Sequence, residues 1–502
     1  MKNTRREFAR LGSAAALSVA AGCSRPRRPN IVLFQADDLR ATAMRLYNPG
    51  AVATPNLDRL ANSGVVFNQS FTPHPLCLPA RVSLWTGQHS ATHGSRYNQK
   101  LMSDESTSMA GSFHLAGYTL GIFGKNHCFT PGQLSRWFGT DYSMGSASWR
   151  ASLAPEASKR IAEHARWLKA QGGALMPPAA APFPHEIFPT HLATQRAIEF
   201  VERHRQGPFF LWVSVPDPHT PTEVPEKFAG ALPVDRVKLP PFRRNETAGK
   251  NTRMQIFDYL IRGQEIPDEY LARYLSVYSG KTAFLDHELG RLLDAIDARK
   301  LLEDTIFLFT SDNGDFAAEH HLMVKTGSLV DSMVRLPLVL SWPANLQGGR
   351  REDALVSQVD LMPTLLQLCG LPVPPTVEGQ SLPLAHDATR RPFVYSEYGN
   401  GDPEYKWQDA RGLGPAKRLG DYALETPREL QDLEKRERAG HLRMIRTHTH
   451  KVIVDSNGET EFYDLRRDPD ELDNVHGLPE HREQEQRLLR MLAGCPRRCG
   501  SG

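Results

Sequence analysis

The chain has 502 residues, 40% of them hydrophobic, enough to bury one large core and a smaller one. Sixty basic against fifty-seven acidic side chains give a net charge of +3, too near balance for a nucleic-acid binder. No apolar run reaches the roughly 18 residues of a membrane span, and six cysteines are too few for a disulfide framework at this length.

The N-terminus reads as an address. Lys2 to Arg10 is basic, with Arg5-Arg6 followed by Phe8, and Leu11 to Gly22 is a short apolar segment of small residues. The pattern resembles a twin-arginine export signal, which would take the folded protein through the Tat translocase. Ala20-Ala21-Gly22-Cys23 is similar to a lipoprotein processing site, with Ala20 where Leu, Ile or Val is usual. A lipid on Cys23 would anchor the protein at the cell envelope, the one membrane attachment expected; simple cleavage would leave a soluble periplasmic protein. Residues 1–28 are thus assigned to the signal.

Asn30 to Ala36 is a continuous apolar run of strand length, as in a strand buried on both faces. Thr54-Pro55 then opens a helix, with Thr54 as N-cap and Gly64 as its end. In the stretch Cys77-Leu78-Pro79-Ala80-Arg81-Val82-Ser83-Leu84-Trp85-Thr86-Gly87, proline near the start and glycine at the end predict a short helix over 79–86. The Cys77 thiol lies just ahead of it, over free N–H groups and the positive end of the dipole, and Arg81 adds a cationic fork. Apolar runs recur at Thr119–Phe123, Pro208–Val215, Thr305–Thr310 and Leu336–Ser341, with helical patterns at Thr190–Arg205, Asp268–Lys300 and Asp360–Cys369. This alternation predicts an α/β fold: a large, mostly parallel β-sheet flanked by helices, over 29–390. Leu442–Thr447, His450–Val454 and Thr460–Leu465, with an Asn457-Gly458 hairpin signal, predict a smaller antiparallel C-terminal subdomain over 391–502.

The segments 131–189, 222–266 and 400–440 lack clear periodicity and read as long loops around a site. Trp137 and Trp149 fall in the first, where a sugar ring could stack, although tryptophans more often anchor packing. Cys495 and Cys499, four apart, are within bridging reach on a helix, and an oxidising compartment would permit that disulfide; two free thiols are the alternative.

Ligands of open α/β sheets bind beyond the carboxyl ends of the strands, and polar residues gather there. One strand end delivers Asp37-Asp38, another Asp312-Asn313-Gly314. Four oxygen-bearing side chains suit a hard divalent cation, Ca²⁺ or Mg²⁺. Gly124-Lys125-Asn126-His127, Pro218-His219 and Lys325 would place cations and donors around an oxyanion, as sulfuryl or phosphoryl transfer requires.

The Cys77-Leu78-Pro79-Ala80-Arg81 stretch resembles the signature of the type I sulfatases, the formylglycine-dependent branch of the alkaline phosphatase superfamily. The likeness spans nearly the whole chain after residue 28. Pro29-Asn30-Ile31-Val32 to Ala36-Asp37-Asp38 looks like the family's opening and Thr54-Pro55-Asn56-Leu57-Asp58 like its first helix. Gly124-Lys125-Asn126-His127 resembles its Gly-Lys-Trp-His element, with Asn126 for Trp. Phe309-Thr310-Ser311-Asp312-Asn313-Gly314, Glu319-His320, Lys325, Arg335-Leu336-Pro337-Leu338, Val359 to Leu365 and Phe462-Tyr463-Asp464-Leu465 follow in order.

The resemblance implies a hydrolase of sulfate esters that releases an alcohol and inorganic sulfate. Cys77 would be oxidised to formylglycine by a maturase, and one Ca²⁺ would be held by Asp37, Asp38, Asp312, Asn313 and an oxygen of the modified Cys77. Arg81 would stabilise the aldehyde hydrate; Lys125, His219 and Lys325 would bind sulfate oxygens; His219 or Lys325 would protonate the leaving alcohol. His127 would be the base that collapses the covalent sulfate intermediate. The substrate would be a sulfated small molecule or carbohydrate. A phosphonate monoester or phosphodiester hydrolase shares fold, metal and formylglycine, and is the main alternative. A zinc phosphatase would need more Asp and His ligands, and a non-catalytic sugar binder would not need Cys77, Arg81, Lys125, His127 and Lys325.

Overall fold

The computed structural model describes residues 28–139, 154–171, 179–385, 387–415, 418–419, 423–424 and 433–495. Residues 1–27 of the signal segment 1–28, with Cys23, and Trp149 and Cys499, and so the Cys495–Cys499 pairing, lie outside them.

Eight strands form the main sheet: β1 (Asn30–Asp37), β2 (Gly64–Phe71), β3 (Thr119–Gly124), β4 (Phe209–Pro218), β5 (Thr305–Ser311), β6 (Arg335–Leu336), β7 (Leu338–Ser341) and β8 (Arg350–Ser357). Their order is β8-β2-β7-β5-β1-β4-β3, with β6 paired to β2. The β5-β1-β4-β3 half is parallel throughout, as is β8-β2; β7 runs antiparallel between β5 and β2, and β6 antiparallel to β2. The expected α/β architecture is therefore present. Pro337, which has no N–H to give a ladder, divides the 336–341 run into β6 and β7.

The continuous apolar runs alternate between two cores, because successive strand side chains point to opposite faces. Val32, Phe34 and Ala36 of β1, Phe209, Leu211 and Val213 of β4, and Phe307 and Phe309 of β5 enter one core, with the helices Pro189–His204 and Asp268–Asp297. Ile31, Leu33, Phe210, Trp212, Ile306 and Leu308 enter the other, with the helices Cys77–Thr86, Met109–Leu115 and Leu361–Leu368. A second sheet, β9 (Val394–Tyr398), β10 (Leu442–Arg446), β11 (His450–Val454) and β12 (Thr460–Asp464), is antiparallel in that order. Glu397 of β9 ties it to the larger body, accepting from the Ser90 hydroxyl and the Ala91 N–H at 2.7 Å each, and from Arg96 at 2.9 Å.

Several expectations need correction. Thr54 is the N-cap of the helix Pro55–Asn62, but its side chain makes no capping bond; the Asp286 carboxylate accepts from the Asn56 and Leu57 N–H groups instead. Gly64 begins β2, and Ser63 caps that helix. The three presumed loops contain helices, Pro131–Phe138, Pro155–Ala170, Thr252–Ile261, Trp407–Leu413 and Leu433–Arg438 among them. Trp137, partly buried, packs edge-on against Phe129 of the core, 5.7 Å between centroids. Among the described residues, no helix is long and apolar enough to cross a membrane.

Candidate functional site

The ten residues singled out in the sequence converge at the carboxyl ends of β1, β3, β4 and β5. The Ala36–Ser311 pairing of β1 with β5 sets Asp37-Asp38 beside Asp312-Asn313. Asp38 adopts a left-handed φ of 65°, unfavourable for a residue with a side chain. Hydrogen bonds hold it there: its N–H donates to Asp312 Oδ1 at 3.2 Å and its carbonyl accepts from the Tyr278 hydroxyl at 2.6 Å.

Cys77 is the first residue of its helix, not the residue ahead of it, with Leu76 as N-cap and Gly87 closing the helix at a φ of 65°. Every residue of this helix is buried. Cys77 Sγ lies 3.4 Å from Asp37 Oδ1 and 2.7 Å from Lys325 Nζ, which also donates to Asp38 Oδ1 at 2.5 Å. Arg81, one turn on, is fully buried. Its Nε and Nη2 both lie 2.9 Å from Asp312 Oδ2, Nη1 donates to the Lys125 carbonyl at 3.0 Å and to Ser214 Oγ at 2.5 Å, and its plane sits 5.7 Å over Trp212.

Lys125 pairs with Asp37 Oδ2. Its approach depends on Gly124, whose φ is 104° and where a Cβ would lie 1.9 Å from the Ser214 carbonyl oxygen; only glycine fits. His219 directs Nε2 to within 3.7 Å of Asp38 Oδ2 while Nδ1 lies 2.7 Å from the Thr220 carbonyl. His127 has a φ of 50° and a buried Nδ1 without a partner among the described residues. Asn313 donates its amide to Asp38, and its buried Oδ1 also has no partner among the described residues.

Burial would raise the Asp37 carboxyl, but Lys125, His219, Lys325 and Arg81 outweigh it and hold that group well below the usual carboxylate range. Burial and the charge of Asp37 push Asp312 up to about 6 against Arg81, and push the Cys77 thiol up to about 12. An unmodified Cys77 thiol is thus a poor nucleophile at neutral pH. Burial opposes the charge of Lys325, but Asp38 and its acidic neighbours keep the ammonium well above its ordinary range. Burial, with Lys125 and Arg81, takes His127 down to about 3, so the ring is neutral.

Candidate ligand atoms of Asp37, Asp38, Cys77 and His219 lie within 4.8 Å of one another. The oxygens are hard donors, and Asn313 Oδ1 adds one that no N–H of the described residues satisfies. The oxygens of this set fit a hard divalent cation better than a soft one, whereas the Cys77 thiol and the His219 imidazole are softer donors.

The sequence reading missed residues that hold the site in place. Ser214 takes an Arg81 hydrogen bond and itself donates to the Lys125 carbonyl at 2.7 Å; its one signal was a polar residue inside an apolar strand. Asp217 accepts from Thr190 and pairs with Lys281 at 3.3 Å, and Lys281 also donates to the His219 carbonyl. Asn98 accepts from the Leu78 N–H at 3.2 Å and donates to Glu437 at 2.8 Å, contacts without a local signal.

The Sulfatase family model matches residues 29–371. An arylsulfatase of Clostridium perfringens is 26% identical over 496 residues, covering 93% of this chain and 94% of its own. The phosphonate monoester hydrolase of Agrobacterium radiobacter superposes with a TM-score of 0.72 at 21% identity, over 93% of this chain and 95% of its own. A protein solved in complex with its substrate D-glucosamine-2-N,6-O-disulfate superposes with a TM-score of 0.68, also at 21% identity, over 93% and 97%. At such identities the structural likenesses concern the fold.

Proposed function

The chain belongs to the sulfatase family and is a sulfuric ester hydrolase, and from that premise we propose that it acts through a formylglycine made from Cys77 beside one Ca²⁺, Mg²⁺ being the alternative. Asp37, Asp38, Asp312 and Asn313, with an oxygen of the modified Cys77, would hold the ion. When present, ion and aldehyde hydrate supply Lewis-acid charge, a nucleophilic oxygen and a second hydroxyl through which sulfate can leave.

The observation that carries the reading is the position of Cys77 Sγ, between Asp37 and Lys325 at a buried helix start. Arg81, Lys125 and Lys325 bring three positive charges against the carboxylates of Asp37, Asp38 and Asp312. A divalent cation would leave the site net positive, which favours charge developing on a sulfuryl group. Lys125, Lys325 and His219 would bind the sulfate oxygens. Lys325 Nζ, protonated and nearest to Cys77, would pass its proton to the leaving alcohol; His219, through Nε2, is the other donor. Neutral His127 would accept the proton whose removal frees sulfate.

The substrate class proposed is a sulfated carbohydrate or other sulfated small molecule, in keeping with the sugar disulfate bound by a protein of this fold. Phosphonate esters are the second class to assay, on the likeness to a phosphonate monoester hydrolase. The reading also requires a maturase for Cys77, and the Arg5-Arg6 segment supports export by the Tat translocase to the periplasm or a lipid-anchored place at the envelope.

The test is the mass of the Cys77 peptide from protein made in its native host. A loss of about 18 Da reports thiol converted to aldehyde, the group needed for covalent catalysis here. An unmodified thiol in folded, active protein would overturn the mechanism.

A further inference from the structure

A second group of metal-type donors lies outside the site already described. His185 opens the short turn His185–Ile187, while His287 and Glu288 are neighbours on the long helix Asp268–Asp297. One donor atom from each lies within 4.8 Å of the others. We propose that His185, His287 and Glu288 form a transition-metal site, with Zn²⁺ as the fitting ion, that fastens the His185 turn to the long helix.

Two imidazoles and one carboxylate are a borderline donor set that favours zinc over the hard ions suited to Asp37 and its neighbours. Tetrahedral zinc with bonds of about 2.1 Å separates its ligand atoms by roughly 3.4 Å, so the three donor atoms, within 4.8 Å of one another, would close on the ion by side-chain rotation. The carboxylate is already oriented: Glu288 Oε1 is 2.9 Å from His191 Nδ1, and Oε2 takes a bond of 2.6 Å from Arg291. Such outer partners are how metal ligands are usually fixed. His185 stands edge-on to Phe228 and Phe284, and His287 tilts against Phe228, which gives the donors an apolar surround. Burial lowers the basicity of both imidazoles, and the neutral ring is the form that binds metal. Arg291 and the nearby Lys227 oppose a cation, which limits the affinity to a moderate value.

The site is structural. The helix that carries His287 and Glu288 also carries Lys281, two turns earlier, which holds Asp217 and the His219 carbonyl. Metal at His185 would therefore brace the helix that supports the His219 strand end, without touching the reacting groups.

The full chain, stripped by chelator and then saturated with Ca²⁺ to fill the Asp37 cluster, is titrated with Zn²⁺ by calorimetry. The expected result is one zinc per chain and a melting point raised by about 2–4 °C. His185→Phe and His287→Phe keep an aromatic ring in place while removing a ligand. Each should weaken zinc binding at least about tenfold and leave aryl sulfate turnover in Ca²⁺ unchanged. Cobalt added to the unsubstituted protein should give a tetrahedral visible spectrum, which needs no variant to fold. No zinc taken up under Ca²⁺, or equal uptake by both variants, would overturn the proposal and leave an aromatic packing cluster.

Discussion

Lys325 Nζ stands 2.7 Å from Cys77 Sγ and 2.5 Å from Asp38 Oδ1, so a single ammonium links the candidate nucleophile to a candidate metal ligand. A cation so placed could bind sulfate or deliver the leaving-group proton, and the two roles differ in their dependence on the leaving group. Lys325→Ala should lower kcat by about 10²–10⁴ on an alkyl or sugar sulfate. The loss should be much smaller on p-nitrophenyl sulfate, whose phenolate leaves without a proton. Equal losses on both esters would assign Lys325 to sulfate binding and pass the acid role to His219.

Cys77→Ser supplies one hydroxyl where the aldehyde hydrate supplies two. It should fold, since serine is smaller than the buried thiol it replaces, and lose turnover by on the order of 10³-fold or more. Steady-state assay alongside a melting curve checks both parts. Near-normal turnover by folded Cys77→Ser would sink the formylglycine mechanism.

Much of this site was legible because it hangs on strand ends. Apolar runs of strand length followed at once by Asp37-Asp38, Lys125 or Asp312-Asn313 place those side chains on one rim of a parallel sheet, whatever the rest of the chain does. The family motif around Cys77 added the helix. What stayed hidden depends on residues distant in the chain. β2 was missed because Asn68 and Gln69 interrupt its apolar run, and β8 because it opens on Arg350-Arg351-Glu352-Asp353; both become strands by pairing with each other. Thr54 looked like a capping side chain, yet Asp286, some 230 residues away, does the capping. No local pattern encodes such a contact.

Metal removal tests the oxygen cluster. Treatment with a strong chelator should abolish sulfatase activity and lower the melting point, and Ca²⁺ should restore both. Asp38→Asn retains the shape but removes one ligand charge, so the Ca²⁺ concentration for half-activity should rise by about tenfold or more. Full activity after exhaustive chelation would exclude the metal assignment for Asp37, Asp38, Asp312 and Asn313.

Arg81 cannot be exchanged for lysine. Its guanidinium makes two contacts of 2.9 Å with Asp312 and bonds the Lys125 carbonyl and Ser214 at once, a fork that an ammonium cannot reproduce. Arg81→Lys keeps the positive charge but loses the fork, leaves buried acceptors unpaired and should cost about 1–3 kcal/mol of stability. Urea denaturation measures this. A loss below about 1 kcal/mol would mean that Lys125 or water takes over the fork's bonds.

His74 sets a pH limit on the fold that is separate from catalysis. Its ring is fully buried, neither nitrogen has a partner among the described residues, and it lies against Tyr398 at 5.3 Å. Burial takes its pKa from 6.5 down to about 3, with Glu397 too weak an influence to restore it. Between those values the unfolded chain binds a proton that the folded one refuses, so this contribution is complete above about pH 6.5 and falls away as pH drops toward 3. At pH 5 the loss from this group alone is about 2 kcal/mol. His74→Leu removes the proton site and leaves no unsatisfied nitrogen, so its stability between pH 7 and pH 5 should fall by about 2 kcal/mol less than that of the unsubstituted protein. Parallel stability curves for the two proteins across that window would show that the ring is protonated in the fold, with an acceptor supplied by Glu397 or water.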